Sequence, residues 1–327
     1  METLLKVEDL RVWFPARVSF IESLRGKKRY VKAVDGVSFE VKRGSVVCLV
    51  GESGSGKTTT ARAILRLVEP TGGKVIYEGK NILEIPKKEL RKWRKEAQII
   101  FQDPYESLDP RMTVYDTLSE PLRVNKLIGS EEEERELVSK VLEDVRLVPP
   151  EEFMGRFPHE LSGGQRQRVA IARALILNPK FIVADEPVSM LDASIRTQIL
   201  NLMMDLRDMY GLTYLYITHD LAQARYMGSD IVVMYLGKAM EVGSVEEVIR
   251  EPMHPYTKVL ISHVPVPDPK VAATRKKIEI KGEPPSPIDL PPGCRFGPRC
   301  PFAKEICFKE EPELRWVNGR MVACHLV

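Results

Sequence analysis

The sequence predicts an α/β fold built around phosphate-binding turns, on three observations. The apolar run Val46–Val50 leads into Gly51, Glu52, Ser53, Gly54, Ser55, Gly56, Lys57 and Thr58. A second apolar run, residues 181–184, ends about 130 residues later in Asp185 and Glu186. Between them lies Leu161, Ser162, Gly163, Gly164, Gln165, followed by a helix-like segment. Short apolar runs bounded by turn signals and alternating with helical periodicity are the pattern of strands buried beneath helices.

The first turn fits GxxxxGK[ST] in the required context, a strand before it and a helix expected over residues 58–67. Loop amides and a helix start, with a partial charge of roughly +0.5, then converge on one spot. A phosphate fits there. The glycines let the backbone approach, Lys57 reaches the β- and γ-phosphates, and the Thr58 hydroxyl is a Mg²⁺ ligand; Thr59 completes the shell. Asp185, at a strand end, is expected beside the Mg²⁺, and Glu186 is expected to polarise the attacking water. The Ser162, Gly163, Gly164 turn before the helix expected at residues 166–177 is a second phosphate-directed helix start.

Two such starts in this order resemble the nucleotide-binding subunits of ABC transporters. The resemblance spans roughly residues 4–260. It implies an ATPase whose Walker A loop is completed by the signature loop, Leu161 to Gln165, of a facing subunit. It also implies that Gln102 is the Q-loop residue touching Mg²⁺ and the membrane subunit, that Ser189 to Asp192 form the D-loop, and that His219 is the switch histidine. Met190 stands where the family more often has alanine. The base is expected to stack on Phe14, with Tyr30 or Phe20 as alternatives, because a basic insertion (residues 16–30) follows the first strand.

The fold expected in detail is an ABC ATPase core, a RecA-like mixed sheet with an antiparallel β subdomain, over residues 1–102 and 166–248. A helical subdomain occupies residues 103–165, and a small cysteine-containing extension residues 249–327. That extension begins at His254, Pro255, Tyr256, Thr257 and runs through Gly293, Cys294 and Arg299, Cys300, Pro301. It resembles the C-terminal region of oligopeptide and dipeptide importer ATPases, a subfamily that also serves nickel and oligosaccharides.

Cys48 lies in an apolar strand and reads as a small buried hydrophobe. The other four, Cys294, Cys300, Cys307 and Cys324, crowd the final 34 residues at intervals x5, x6 and x16. Reducing conditions disfavour disulfides, so four local thiols read as metal ligands. The absence of closely spaced C-x2-4-C pairs disfavours zinc, and related importer ATPases include members with a [4Fe–4S] cluster on this framework, so a cluster is expected in preference to zinc.

A formal charge of +3 gives no electrostatic argument for nucleic acid. No apolar stretch approaches the ~18 residues of a membrane span, and the N-terminus lacks the pattern of a signal peptide. The chain is therefore expected at the cytoplasmic face of the membrane, held by two permease subunits. The resemblance further implies a homologous ATPase partner, a heterodimer in preference to a homodimer, and an extracytoplasmic solute-binding protein. The rival reading is a soluble ABC-type ATPase acting on ribosomes or DNA. Those proteins usually carry two cassettes or a long coiled coil, and this chain has one cassette and no sustained heptads.

Overall fold

The structure is a computed structural model, and it describes residues 2–16, 28–264, 277–288 and 290–327 apart from the side chain of Glu106. Phe20, Arg25 and Lys27 lie outside the described residues. In chain order the strands are β1 (Thr3–Pro15), β2 (Tyr30–Lys42), β3 (Val46–Val50), β4 (Gly72–Tyr77), β5 (Lys80–Asn81) and β6 (Ala97–Ile100). After these come β7 (Phe181–Asp185), β8 (Thr213–Thr218), β9 (Asp230–Tyr235), β10 (Lys238–Ser244), β11 (Arg315–Val317) and β12 (Arg320–Val322).

The chain forms two compact units, residues 1–84 with 216–327, and residues 85–215. The division falls inside β8 and differs from the expected boundaries, because the β7 strand groups with the helical segment rather than with residues 1–102.

In the first unit an antiparallel sheet runs β2-β1-β4-β5. β1 alternates in two runs, Leu5 and Val7 buried before and Leu10 and Val12 after an irregularity at Asp9 (φ +47°) that shifts the phase by one residue, with Asp9 and Arg11 exposed. That is the period-two pattern of a sheet with one covered face. The same unit holds the order β11-β12-β10-β9-β3. β3 pairs in parallel with β9, Val47 facing Asp230 and Val50 facing Val233, and all five of its residues are buried. Strands covered on both faces read as unbroken apolar runs, so β3 lacks alternation.

The extension closes this unit. Its terminal hairpin β11–β12 lies against β10, with Glu241 opposite Val322. Glu241 is fully buried and accepts from Arg320 Nη1 at 3.2 Å and from the amides of Met253 and His254 at 3.0 Å each. A buried carboxylate needs such partners, since burying it unpaired costs on the order of several kcal/mol.

In the second unit β6 and β7 pair in parallel, Ala97 with Phe181 through Ile100 with Ala184. Helices Val114–Asn125, Glu131–Asp144, Gly163–Leu175 and Ala193–Tyr210 surround a core including Leu118, Val138, Leu142, Val169, Ile171 and Met203. Ser130 caps the acid-rich helix, accepting from the Glu133 amide, and its first turn holds Glu131 to Glu134, the favourable end of the helix dipole for negative charge. Glu134, 3% exposed, is paired with Arg123.

Candidate nucleotide site

The phosphate loop follows β3 and delivers the helix Lys57–Ile64. Gly56 has φ +102°, and a Cβ there would stand 2.3 Å from the Ala33 carbonyl oxygen. Only glycine permits that close approach. Lys57, 5% exposed, donates to the carbonyls of Gly51 at 2.8 Å and Glu52 at 3.0 Å. A buried ammonium curled over a cradle of main chain fits a triphosphate, because phosphate oxygens supply the acceptors those carbonyls now provide. Ser55 is buried, Glu52 and Thr58 half-buried, and Ser53 and Gly54 exposed. The Ser55 carbonyl accepts from the Gly237 amide at 2.9 Å, which ties the loop to the β9–β10 turn.

His219 lies in the same unit, exposed just beyond β8. Its turn is braced by Gln223, whose Oε1 accepts from Tyr216 at 2.9 Å and Thr218 at 3.1 Å. Asp220 caps the next helix through the Ala222 amide at 2.8 Å. Phe14 and Tyr30 are 40% and 38% exposed, so either can offer a ring face. Trp13 is committed elsewhere: its Nε1 donates to Asp35 at 2.9 Å and Lys32 lies 4.7 Å over its ring.

In the second unit, parallel pairing of Ile100 with Ala184 sets the ends of β6 and β7 level. Gln102, two residues past one strand, and Asp185 and Glu186, at the end of the other, therefore leave the same edge. Asp185 is 3% exposed and Glu186 half-buried. Glu186 has φ +46°, uncommon for a residue with a side chain, and its carbonyl is held by the Ser189 amide (3.1 Å) and hydroxyl (3.0 Å). Such backbone costs about 1–3 kcal/mol and persists where the surroundings enforce it.

Ser162 is the N-cap of Gly163–Leu175 and forms a capping box with Gln165, Ser162 N to Gln165 Oε1 at 2.9 Å and Gln165 N to Ser162 Oγ at 3.3 Å. The helix thus begins three residues earlier than the expected residue 166. A Cβ on Gly164 would lie 2.8 Å from Ile195, and one on Gly163 3.5 Å from Leu191, which has its side chain buried. The signature turn and the segment around Asp192 pack on each other within this unit. Asp192 itself is exposed and stands at the N-cap position of the helix Ala193–Tyr210.

Two partners of the phosphate loop escaped the sequence reading. Arg299 Nη1 donates to Glu52 Oε2 at 2.9 Å, and the Glu52 amide donates to Tyr256 Oη at 3.0 Å. Arg299 and Tyr256 stand inside the quoted extension motifs, but 247 and 204 residues from Glu52.

The four extension cysteines are all buried and none is in a disulfide. Burial, reinforced by the neighbouring thiols, pushes Cys294 up to about 11 and raises Cys300 and Cys324. Among the described residues, however, no group of three or more His, Cys, Asp or Glu side chains is placed to hold a metal ion. The expectation of a metal centre on these cysteines is not supported by this arrangement. Cys48 is fully buried in β3, with burial pushing its thiol upward.

Among known families, residues 34–189 match that described as ABC transporter, and residues 240–307 the oligopeptide/dipeptide transporter C-terminal region. The putative oligopeptide transport ATP-binding protein YkfD of Bacillus subtilis (strain 168) is 48% identical over 324 residues, 99% of this chain and 95% of that protein. The oligopeptide transport ATP-binding protein AppF of the same strain is 46% identical, covering 99% of this chain and 98% of its own. Among solved structures, the ATP-binding cassette MJ0796 in a dimeric post-hydrolysis state with ADP and Pi is 30% identical, with a TM-score of 0.63 over 74% of this chain and 98% of that one. The loop geometry, the helix starts and these likenesses over nearly the full length converge: the chain belongs to the ATP-binding subunits of ABC transporters, in the branch with the oligopeptide/dipeptide transporter C-terminal region.

Proposed function

We propose that the chain hydrolyses ATP to power import of oligopeptides or dipeptides across the cytoplasmic membrane. The observation that carries this is the union, in one chain, of an intact set of nucleotide motifs with the C-terminal region matched at residues 240–307, in a protein whose relatives are named for peptide transport. Import of oligosaccharide or nickel by the same machinery is the alternative.

Gly51 to Thr59 bind the triphosphate, Lys57 replacing its contacts to the Gly51 and Glu52 carbonyls with contacts to phosphate oxygens. Thr58, Asp185 and Gln102 hold Mg²⁺, which screens the negative charge of the β- and γ-phosphates. Glu186 accepts a proton from the attacking water, and His219 orients the γ-phosphate and Glu186. Leu161 to Gln165 complete the site of a partner subunit, with the Gly163 and Gly164 amides facing its γ-phosphate and Asp192 following at the interface. Phe14 stacks the adenine. Residues 103–165 dock the coupling helix of the membrane protein, in a complex with two permease subunits, a homologous ATPase as the other half of the dimer, a solute-binding protein outside and this chain at the cytoplasmic face. Support for peripheral attachment is that no helix among the described residues is long and apolar enough to cross a membrane.

A [4Fe–4S] cluster on Cys294, Cys300, Cys307 and Cys324 remains the finer reading of the extension, with zinc as its alternative. Four buried free thiols in the same extension speak for it, and the lack of a metal-ion group among the described residues speaks against it. Iron and sulfide analysis after anaerobic purification tests it; a colourless, metal-free protein with four titratable thiols removes it.

The transport reading is tested in proteoliposomes holding the complete complex. ATP-dependent uptake of labelled oligo- or dipeptide, lost on ATP depletion, is expected. Uptake of nickel or an oligosaccharide without peptide would replace the cargo.

A further inference from the structure

The second residue of the phosphate loop, Glu52, is gripped at three points. Its carboxylate accepts from Arg299 Nη1 at 2.9 Å, its amide donates to Tyr256 Oη at 3.0 Å, and its carbonyl accepts from Lys57 Nζ at 3.0 Å. Arg299 and Tyr256 both come from the C-terminal extension, and both are buried. Arg299 Nη1 also reaches Tyr235 Oη at 3.2 Å, with the guanidinium 5.7 Å from that ring. Tyr235, Tyr256 and Phe296 pack together with ring centroids 4.8–5.4 Å apart, so neither phenol can drift. Arg299 in turn sits on a tight turn, its amide donating to the Phe296 carbonyl at 2.9 Å.

From this geometry we infer that Arg299 and Tyr256 are positioning residues for ATP binding, a brace by which the extension fixes the Glu52 peptide of the phosphate loop. The inference rests on the assignment of Gly51 to Thr58 as the triphosphate site. When Lys57 turns from the Glu52 carbonyl to a phosphate oxygen, the loop loses an internal contact. The two extension contacts remain and keep the Glu52 peptide in place, so little ordering cost falls on nucleotide binding. A partly buried charge-assisted bond is suited to this, being stronger than a neutral one and fixed in direction. The brace touches neither the phosphates nor the water, so its loss appears in affinity rather than in the chemical step.

The test measures binding of a fluorescent ATP analogue to the full-length chain, with KM and kcat in the assembled complex and thermal melting as a check on folding. Arg299→Ala is expected to weaken binding about tenfold and raise KM to match, with kcat within about twofold of wild type. Arg299→Lys restores part of the loss, since an ammonium keeps the charge but not the planar, directed donors of the guanidinium. The double variant Arg299→Ala/Glu52→Gln is no weaker than Arg299→Ala alone, because the Arg299–Glu52 bond is already gone in the single variant. Tyr256→Phe removes a single hydroxyl, keeps the ring packing and weakens binding about threefold, which serves if Arg299→Ala does not fold. Wild-type affinity in Arg299→Ala or Tyr256→Phe, or additive losses in the double variant, overturns the brace. Lys57→Ala in the same assay separates the two readings: if it loses ATP while Arg299→Ala does not, only the brace falls, and if it binds normally the phosphate-loop assignment falls with it.

Discussion

Glu186 carries the sharpest consequence at the scale of single residues. Its left-handed backbone, pinned by two bonds from Ser189, turns the chain just after Asp185 at the end of β7. Glu186→Gln keeps the shape and loses the basic oxygen. ATP binding is expected to persist while turnover in the complete complex falls at least about 100-fold, and the closed dimer accumulates on sizing. Wild-type turnover would remove Glu186 from the base role. Glu186 and Lys57 were legible because each sits in a contiguous motif whose chemistry is local. The strained φ of Glu186 was not legible, nor was the Arg299 contact to Glu52. Both depend on how distant segments meet, and a bond spanning 247 positions leaves no periodic trace.

At the scale of elements the strands were read well, because β3, β7 and β8 are short, fully buried apolar runs. Helix ends were read less well. The helix after the phosphate loop was expected over residues 58–67 and spans Lys57–Ile64. Gly56 in the left-handed region starts it, and Arg66, at φ +48°, turns the chain away just beyond its end. The helix that follows the signature turn shows the same lesson at Ser162, whose capping box extends it backward over two glycines of low helix propensity.

The helix Pro255–His263 yields a pH prediction. Its N-cap His254, 1% exposed, accepts the Tyr256 amide through Nδ1 at 3.0 Å. Burial lowers its pKa to about 3, and Lys258 adds to the lowering while a backbone bond with Ala323 opposes it. The unfolded chain therefore takes up this proton more readily than the folded one. The contribution is intact above about pH 6.5 and is lost as pH falls toward about 3, at on the order of 1 kcal/mol per pH unit. Thermal melting across this range should show a shallower acid loss in His254→Asn, which keeps a capping acceptor that does not titrate. Equal slopes would show that other groups control the acid limb.

For the whole molecule, the sequence carried the family more fully than the architecture. The ordered motifs and the extension were enough to indicate the family that the comparisons establish, since their residue types are dictated by phosphate chemistry. The division into units was not legible, because it depends on β6 and β7 grouping with residues 85–215, which no local pattern announces. A metal on the four cysteines was read from their crowding and from the resemblance, neither of which fixes how the thiols are arranged in space. Among the described residues no helix is long and apolar enough to cross a membrane.

The central claim, an ATPase subunit driving a peptide importer, is tested most directly by affinity purification of this chain from mild-detergent membranes, with identification of every stoichiometric partner and of any small molecule carried by a co-purifying binding protein. The account predicts two membrane-spanning proteins, a second ATPase and a bound peptide. Recovery only from the soluble fraction, with ribosomes or DNA, would contradict it.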